Sequence, residues 1–263
     1  MDDDRAGKLA DRYNREAPAY RDLWAPVLRV AGWRLLRELE NAGVRRAVDV
    51  GTGVGLLFED LRAVFPAAFV FGIDRSRGML LLAPTGLPCV VGDASQLPVV
   101  SDSVDLAVFA FVLFHLERPE EGLREARRIL RAGGWVATVT WGNDIESNAT
   151  RIWTACLDEH GAAEPDPGTQ ARHEAVNTPE KMELLLRGMG FTFVRAWTED
   201  LVSTIGLEHL LSLRTRMGSE KARFDSLADA AREACVASAR RRMEALPAED
   251  FVVRGQVVYS VAH

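Results

Sequence analysis

Hydrophobic and polar positions change texture along the chain. Between residues 46 and 142, short apolar or β-branched runs, RAVDV, FVFGID, CVVGD, DLAVFAF and WVATVTW, are separated by stretches with helical spacing. Apolar runs of this kind suit strands covered on both faces, so five of them interleaved with helices predict a parallel, doubly wound α/β sheet. The helix before the fifth run, ERPEEGLREARRIL, places Leu123, Ala126, Ile129 and Leu130 on one face, and Gly133-Gly134 is expected to close it. Residues 8 to 40 read as helical, with an interrupted apolar face of Leu23, Leu28, Val30, Leu35 and Leu36 and a break or turn at Pro26. After 142 the pattern is less legible. NTPEKMELLLRGMGF is a helix, with Thr178 as its cap, Pro179 in the first turn and Gly190 at its end. FTFVRAW follows as a strand, 207 to 246 reads as helical, and FVVRGQVVYSVAH makes a final strand.

Composition narrows the classes. The 263 residues, 48% hydrophobic and 27% charged, suffice for one large domain or a domain with a helical cap. A net charge of −6 lacks the basic footprint of a nucleic-acid binder, and no nucleic-acid partner is expected. The opening MDDDRAGKLA has acids where a signal peptide carries basic and apolar residues, and no run of about 18 apolar residues occurs, so a cytoplasmic protein without membrane attachment is expected. Cys89, Cys156 and Cys235 are odd in number and widely spaced, which suits buried free thiols rather than disulfides or a zinc site. The arginines of SARRRM near 238 spread around a helix and read as a solvated face.

The turn after the first run, VDVGTGVGLL, holds glycines at 51, 53 and 55. In a strand–turn–helix unit, glycines permit a tight turn and let a ligand touch the main chain beside the free N–H groups of the next helix. Close helix–sheet packing is the plainer explanation. A dinucleotide fingerprint would place its third glycine at 56, where Leu56 stands. Asp74 closes the second run, where a carboxylate can accept from both hydroxyls of a ribose; it can also cap a helix. Asp93 closes the third run, followed by the small Ala94, where a carboxylate can accept from an adenine amino group. A glycine turn and two such acids at successive strand ends describe an adenosine site.

With these motifs in order, VDVGTGVG, GIDRSRGML, VVGDASQLPVVSDSVDLAV and FVLFHLERPEEGLREARRILRAGG, residues 13 to 142 resemble the class I S-adenosylmethionine-dependent methyltransferases, in their small-molecule branch. The resemblance implies a Rossmann-like sheet of seven strands, the last antiparallel, with a helical cap. It also implies that Gly51, Gly53 and Gly55 border the methionine and ribose parts of S-adenosylmethionine, that Asp49 orders the turn, and that Asp74 holds the ribose. Arg75 and Met79 would flank the adenine, Asp93 and Ala94 would read its edge, and Ala110 and Phe111 would lie beneath the methionine part. YNREAPAYRDLW resembles the family's N-terminal segment, whose second tyrosine, here Tyr20, closes over the cofactor. LRAGG departs from the family, with Ala132 in place of a proline before Gly133-Gly134.

Methyl transfer needs alignment and exclusion of water more than a base. His115, just past the fourth run, is the candidate base, or else a backbone hydrogen-bonding residue; as a base it would give the rate a limb near the ordinary histidine pKa. Trp141 either lines the acceptor pocket or belongs to the core. The fourth run lacks the Asn/Asp-Pro-Pro-aromatic tetrapeptide of nucleic-acid amino methyltransferases, and His115 and Glu117 alone do not make a metal site, so no metal is expected. The expected function is O-, N- or C-methylation of a small molecule, in secondary or specialised metabolism, by a monomer or homodimer. A non-methylating, cyclase-type enzyme on the same scaffold, or a catalytically silent binding module, is the alternative. The expected organisation is a cap segment at 1–40 and a methyltransferase domain at 41–263, with helical insertions around 143–178 and 207–246.

Overall fold

A computed structural model describes residues 2–263. Helix α1 (Asp2–Ala19) passes through one π-helical turn, Tyr20–Trp24, into α2 (Ala25–Arg37). Pro18 lacks the N–H that would continue the ladder and Pro26 sits in the first turn of α2, so the wider turn lies between two points where the α-helical pattern is already weakened. The helical segment thus begins at residue 2 rather than 8.

The alternating unit follows: β1 (Arg46–Val50), α3 (Phe58–Val64), β2 (Phe69–Asp74), α4 (Arg77–Leu80), β3 (Cys89–Val91), β4 (Val104–Ala110), α5 (Pro119–Ile129) and β5 (Leu130–Ile145). Helices α6 (Asn148–Glu159), α7 (Pro167–Glu174) and α8 (Pro179–Gly188) lead to β6 (Val194–Thr204), and α9 (Leu207–Arg216), α10 (Gly218–Asp225) and α11 (Asp229–Met243) lead to β7 (Val252–Ala262). The seven strands lie in the order β3-β2-β1-β4-β5-β7-β6. Strands β1 to β5 are parallel and β7 is antiparallel to both neighbours, which is the expected Rossmann-like sheet with an antiparallel last strand. Val48, Val50, Leu106, Ala107, Val108 and Phe109 are almost fully buried, as strands covered on both faces require.

Two expectations need correction. Gly133-Gly134 does not close α5. That helix stops at Ile129, Leu130 is already extended, and the glycines sit inside β5 where the register against β4 slips between Val104 and Leu106. A bulge uses the left-handed backbone of Gly133 (φ +75°) as a helix end would, so the sequence signal was the same. Cys89 is exposed, because β3 forms the sheet edge; Cys156 and Cys235 are buried.

Residues of α6, α9 and α11 make a core of their own, with Trp153, Cys156, Leu157, Leu210, Leu211, Cys235 and Met243 at its centre. A smaller contact of Ala19, Leu213 and Met217 joins α1 to α9 next to Trp24. The cap is therefore tied to the N-terminal helix directly above the carboxyl edge of the sheet. Glu16 accepts the Gly218 N–H at 3.0 Å, and His209 Nε2 meets the Leu23 carbonyl at 2.9 Å.

Candidate functional site

The crevice at the carboxyl ends of β1, β2, β3 and β4 is where an open α/β sheet places its ligands. At the end of β1 the chain turns through Gly51 (φ +71°), Gly53 (φ +56°) and Gly55 (φ +73°). Their surroundings differ. A Cβ on Gly51 would lie 2.3 Å from Val112 Cγ2, and one on Gly55 would lie 2.6 Å from Pro84 Cδ, so both glycines serve close packing. A Cβ on Gly53 would meet only Tyr20 Cε1 at 3.8 Å, which leaves open space above the main chain there. Packing thus accounts for Gly51 and Gly55, while Gly53 leaves its main chain open. Gly55, expected at the ligand border, instead packs against Pro84 and Leu87 and does not line the cavity.

The acid at the end of β2 holds this turn. Asp74 Oδ2 accepts the Gly53 N–H and Oδ1 accepts the Ser76 N–H, both at 2.7 Å. Burial pushes its carboxyl up against the opposing effect of these bonds. Asp49 is buried behind the turn, accepts the Thr52 hydroxyl at 2.7 Å, and is pushed up to about 7 by burial. Asp93 accepts from the N–H and the hydroxyl of Ser95, both at 2.8 Å, and pairs with Arg75. Burial raises its carboxyl, but the Ser95 bonds and the Arg75 charge outweigh it, and the net effect is below the ordinary range.

One cavity of about 120 Å³ is lined by Gly51, Gly53, Asp74, Arg75, Met79, Asp93 and Ala94, together with Ala110, Phe111, Tyr20 and His115. Of the expected residues, only Asp49 and Gly55 stand behind its wall. Phe111 adopts φ +59°, rare for a residue with a side chain, and its N–H donates to the Val139 carbonyl at 2.7 Å. This backbone turns the chain sharply off β4 beneath the cavity.

Helix α1 forms the roof; the resemblance implied that Tyr20 closes over the site, but the contacts that fasten the helix were not legible. Asn14 Oδ1 accepts the Gly78 N–H at 2.7 Å and the Ser76 hydroxyl at 2.8 Å, which fastens α1 across α4. The same helix brings Tyr13 to His115, with 2.9 Å between the phenol oxygen and Nε2. Burial pushes His115 down to about 3, with the charges of Arg12, His173 and Arg5 adding to the effect, so the imidazole is neutral through the physiological range. The expected limb near the ordinary histidine pKa is therefore corrected downward. Burial also holds the Tyr13 and Tyr20 phenols above their ordinary value and protonated. Their signal was the spacing of Tyr13 and Tyr20, seven residues apart on one helical face, but only the fold shows what they face.

A second cavity of about 650 Å³ adjoins the first and shares Tyr13, Tyr20, Arg75, Asp93, Phe111 and His115 with it. Trp141 stands in its wall, its ring 4.8 Å from that of Phe111 and stacked at 5.8 Å on Trp24. Of the other histidines, His173 stacks on Phe114 at 4.2 Å near His115, and His160 bonds the Cys156 carbonyl. The arginines of α11 face solvent, Arg240 paired with Glu208 and Arg242 with Glu159. Among the described residues, no helix is long and apolar enough to cross a membrane.

A glycine turn roofed by tyrosines and flanked by carboxylates at successive strand ends occupies the crevice at the carboxyl edge of this Rossmann-like sheet. A sequence model described as a methyltransferase domain matches residues 48–138 of the chain. It is 32% identical over 180 residues to a malonyl-[acyl-carrier protein] O-methyltransferase of Methylococcus capsulatus, an alignment covering 65% of this chain and 61% of the relative. It is 34% identical over 134 residues to a ubiquinone/menaquinone biosynthesis C-methyltransferase of Syntrophotalea carbinolica, covering 46% of this chain and 56% of the relative. The chain thus spans about 60% of the length of these relatives. In fold it matches a solved S-adenosylmethionine-dependent methyltransferase of Thermotoga maritima, with a TM-score of 0.52, 18% identity, and 96% of this chain and 98% of that one covered.

Proposed function

We propose that the protein transfers a methyl group from S-adenosylmethionine to a small-molecule acceptor held in the larger cavity. The observation that carries this reading is the wall of the smaller cavity: the open main chain at Gly53, the Asp74 and Asp93 carboxylates, and the Tyr20 ring converge on one crevice. The donor set fits the cofactor. Asp74 has each oxygen engaged by one N–H, which leaves further lone pairs for the two ribose hydroxyls. Arg75 and Met79 would flank the adenine, with Asp93 and Ala94 at its edge, Ala110 and Phe111 beneath the methionine part, and Gly51 and Asp49 shaping the turn. When bound, the cofactor supplies an activated methyl on a sulfonium.

The protein's own part is alignment and exclusion of water. Helix α1 covers the crevice and excludes water. His115 and Tyr13 form a neutral, hydrogen-bonded pair on the border between the two cavities, placed to hydrogen-bond an acceptor hydroxyl or amine and orient it, because burial holds the imidazole too low to act as a strong base. A neutral pair suits that position, because an imidazolium there would repel the positive sulfonium.

Calorimetric titration with S-adenosylmethionine tests the first half and should give micromolar-scale affinity. Product analysis tests the second: S-adenosylhomocysteine should appear in equal amount with methylated acceptor. Turnover that leaves the cofactor unchanged would replace this reading with a non-methylating enzyme, and absence of cofactor binding would remove it.

A further inference from the structure

We infer that the acceptor is a flat aromatic acid, its ring taken up among Trp24, Phe111 and Trp141 and its carboxylate held by Arg12. This rests on the methyltransferase reading and adds the class of substrate. At about 650 Å³ the larger cavity lies in the range of sites for small organic ligands. One wall is aromatic: Phe111 and Trp141 lie 4.8 Å apart and Trp24 stacks on Trp141 at 5.8 Å, with an interplanar angle of 28°. Slabs of this kind favour a planar partner.

The facing wall is one face of α1. Arg5, Lys8 and Arg12, spaced three and four residues apart, all line the cavity. Five carboxylates line it too, each within 4.0 Å of a cation, although the Arg223 beside Glu220 also binds Asp158. Asp93 pairs with Arg75, Glu117 with Arg5, and Glu121 with Arg118. Asp166 lies 3.7 Å from Arg172, and Glu220 lies 4.0 Å from Arg223.

Arg12 is balanced differently. Its carboxylate neighbour is Glu16, 3.9 Å from Nε, and that carboxylate already accepts the Gly218 N–H at 3.0 Å. Burial also holds Glu16 above the ordinary carboxylate range, which weakens it as a counter-ion. Arg12 Nε is buried without a hydrogen-bond partner among the described residues. A buried donor left unmade is costly, and a guanidinium fork meets a planar carboxylate with two parallel bonds. The guanidinium sits 5.0 Å from the Tyr13 ring centre, so a carboxylate bound there lies beside the Tyr13–His115 pair. Arg214 lines the same cavity and adds positive charge.

The test uses 1-hydroxy-2-naphthoate and its methyl ester as probes, read by quenching of tryptophan fluorescence in the whole protein. The acid should bind at least tenfold more tightly than the ester. Arg12→Gln should weaken the acid about tenfold to hundredfold, the range for losing a hydrogen bond to a charged group, and leave the ester unchanged. Arg12→Lys, which keeps the charge, should recover part of the loss. Equal binding of acid and ester, no binding of the acid, or an Arg12→Gln protein that binds the acid like wild type would each overturn the inference. Calorimetry with S-adenosylmethionine separates it from the reading it rests on. Arg12 does not line the cofactor cavity, so Arg12→Gln should bind the cofactor as wild type does. Failure of wild type to bind it would remove the methyltransferase reading while leaving the acid–ester comparison decisive for the pocket.

Discussion

His115 should remain neutral far below the pH at which a free histidine charges. An imidazole with the ordinary pKa of about 6.5 is only about 3% neutral at pH 5, and a reaction needing its neutral form would slow about thirtyfold between pH 8 and pH 5. In this protein burial comes first among the causes that push His115 down to about 3, followed by Arg12, His173 and Arg5. At pH 5 about 99% of it is then neutral, and no thirtyfold loss arises from this residue. Nitrogen NMR of histidine-labelled protein measures this directly, with the His115 signal assigned by its absence in His115→Gln. Tyr13→Phe removes the 2.9 Å bond but not the burial, so the signal should still fail to titrate between pH 5 and 8. Arg12→Gln removes the largest charge effect and should move the transition upward without restoring it to 6.5. A wild-type midpoint near 6.5 would refute the argument, because it would mean that water or a carboxylate reaches the ring in solution.

Asp74→Ala should weaken S-adenosylmethionine more than Asp93→Ala does, since it removes an acceptor for two ribose hydroxyls at about 1.5–3 kcal/mol each and frees the Gly53 turn as well; calorimetry on both variants decides it, and unchanged affinity in Asp74→Ala sinks the site assignment. Gly53→Ala should lower cofactor affinity with a small change in Tm, whereas Gly51→Ala, whose Cβ would lie 2.3 Å from Val112, should chiefly lower Tm; the reverse order in thermal melts and titrations would undo the division between ligand contact and packing. Asp49 is raised to about 7 in the folded protein from about 3.9 unfolded, so the native state binds more protons between those values and stability falls as pH rises through that window. Asp49→Asn, whose amide oxygen still accepts from Thr52, should gain on wild type by up to about 4 kcal/mol between pH 4 and pH 8 in urea unfolding, and a pH-independent difference would show that Asp49 titrates normally.

The parallel sheet was legible because strands buried on both faces are predominantly apolar, as in the buried Ala47, Val48 and Val50 of RAVDV and along DLAVFAF. The acids at the strand ends were legible for a related reason: Asp74 and Asp93 break apolar runs at the point where the sheet opens into the crevice. Local pattern also fixed Thr178 as a helix cap, which the structure shows accepting the Lys181 N–H. Long-range geometry lay outside that pattern. Gly133 needs the same left-handed backbone at a bulge as at a helix end, so only strand pairing chose between them. Tyr13 and His115 are 102 residues apart, and nothing in the sequence around Arg12 shows that its carboxylate neighbour Glu16 would be held by the Gly218 N–H. Those facts depend on where α1 is laid across the sheet edge. That placement is set by Asn14 against Ser76 and Gly78 and by Glu16 against Gly218, contacts between segments that share no periodicity for a sequence to display.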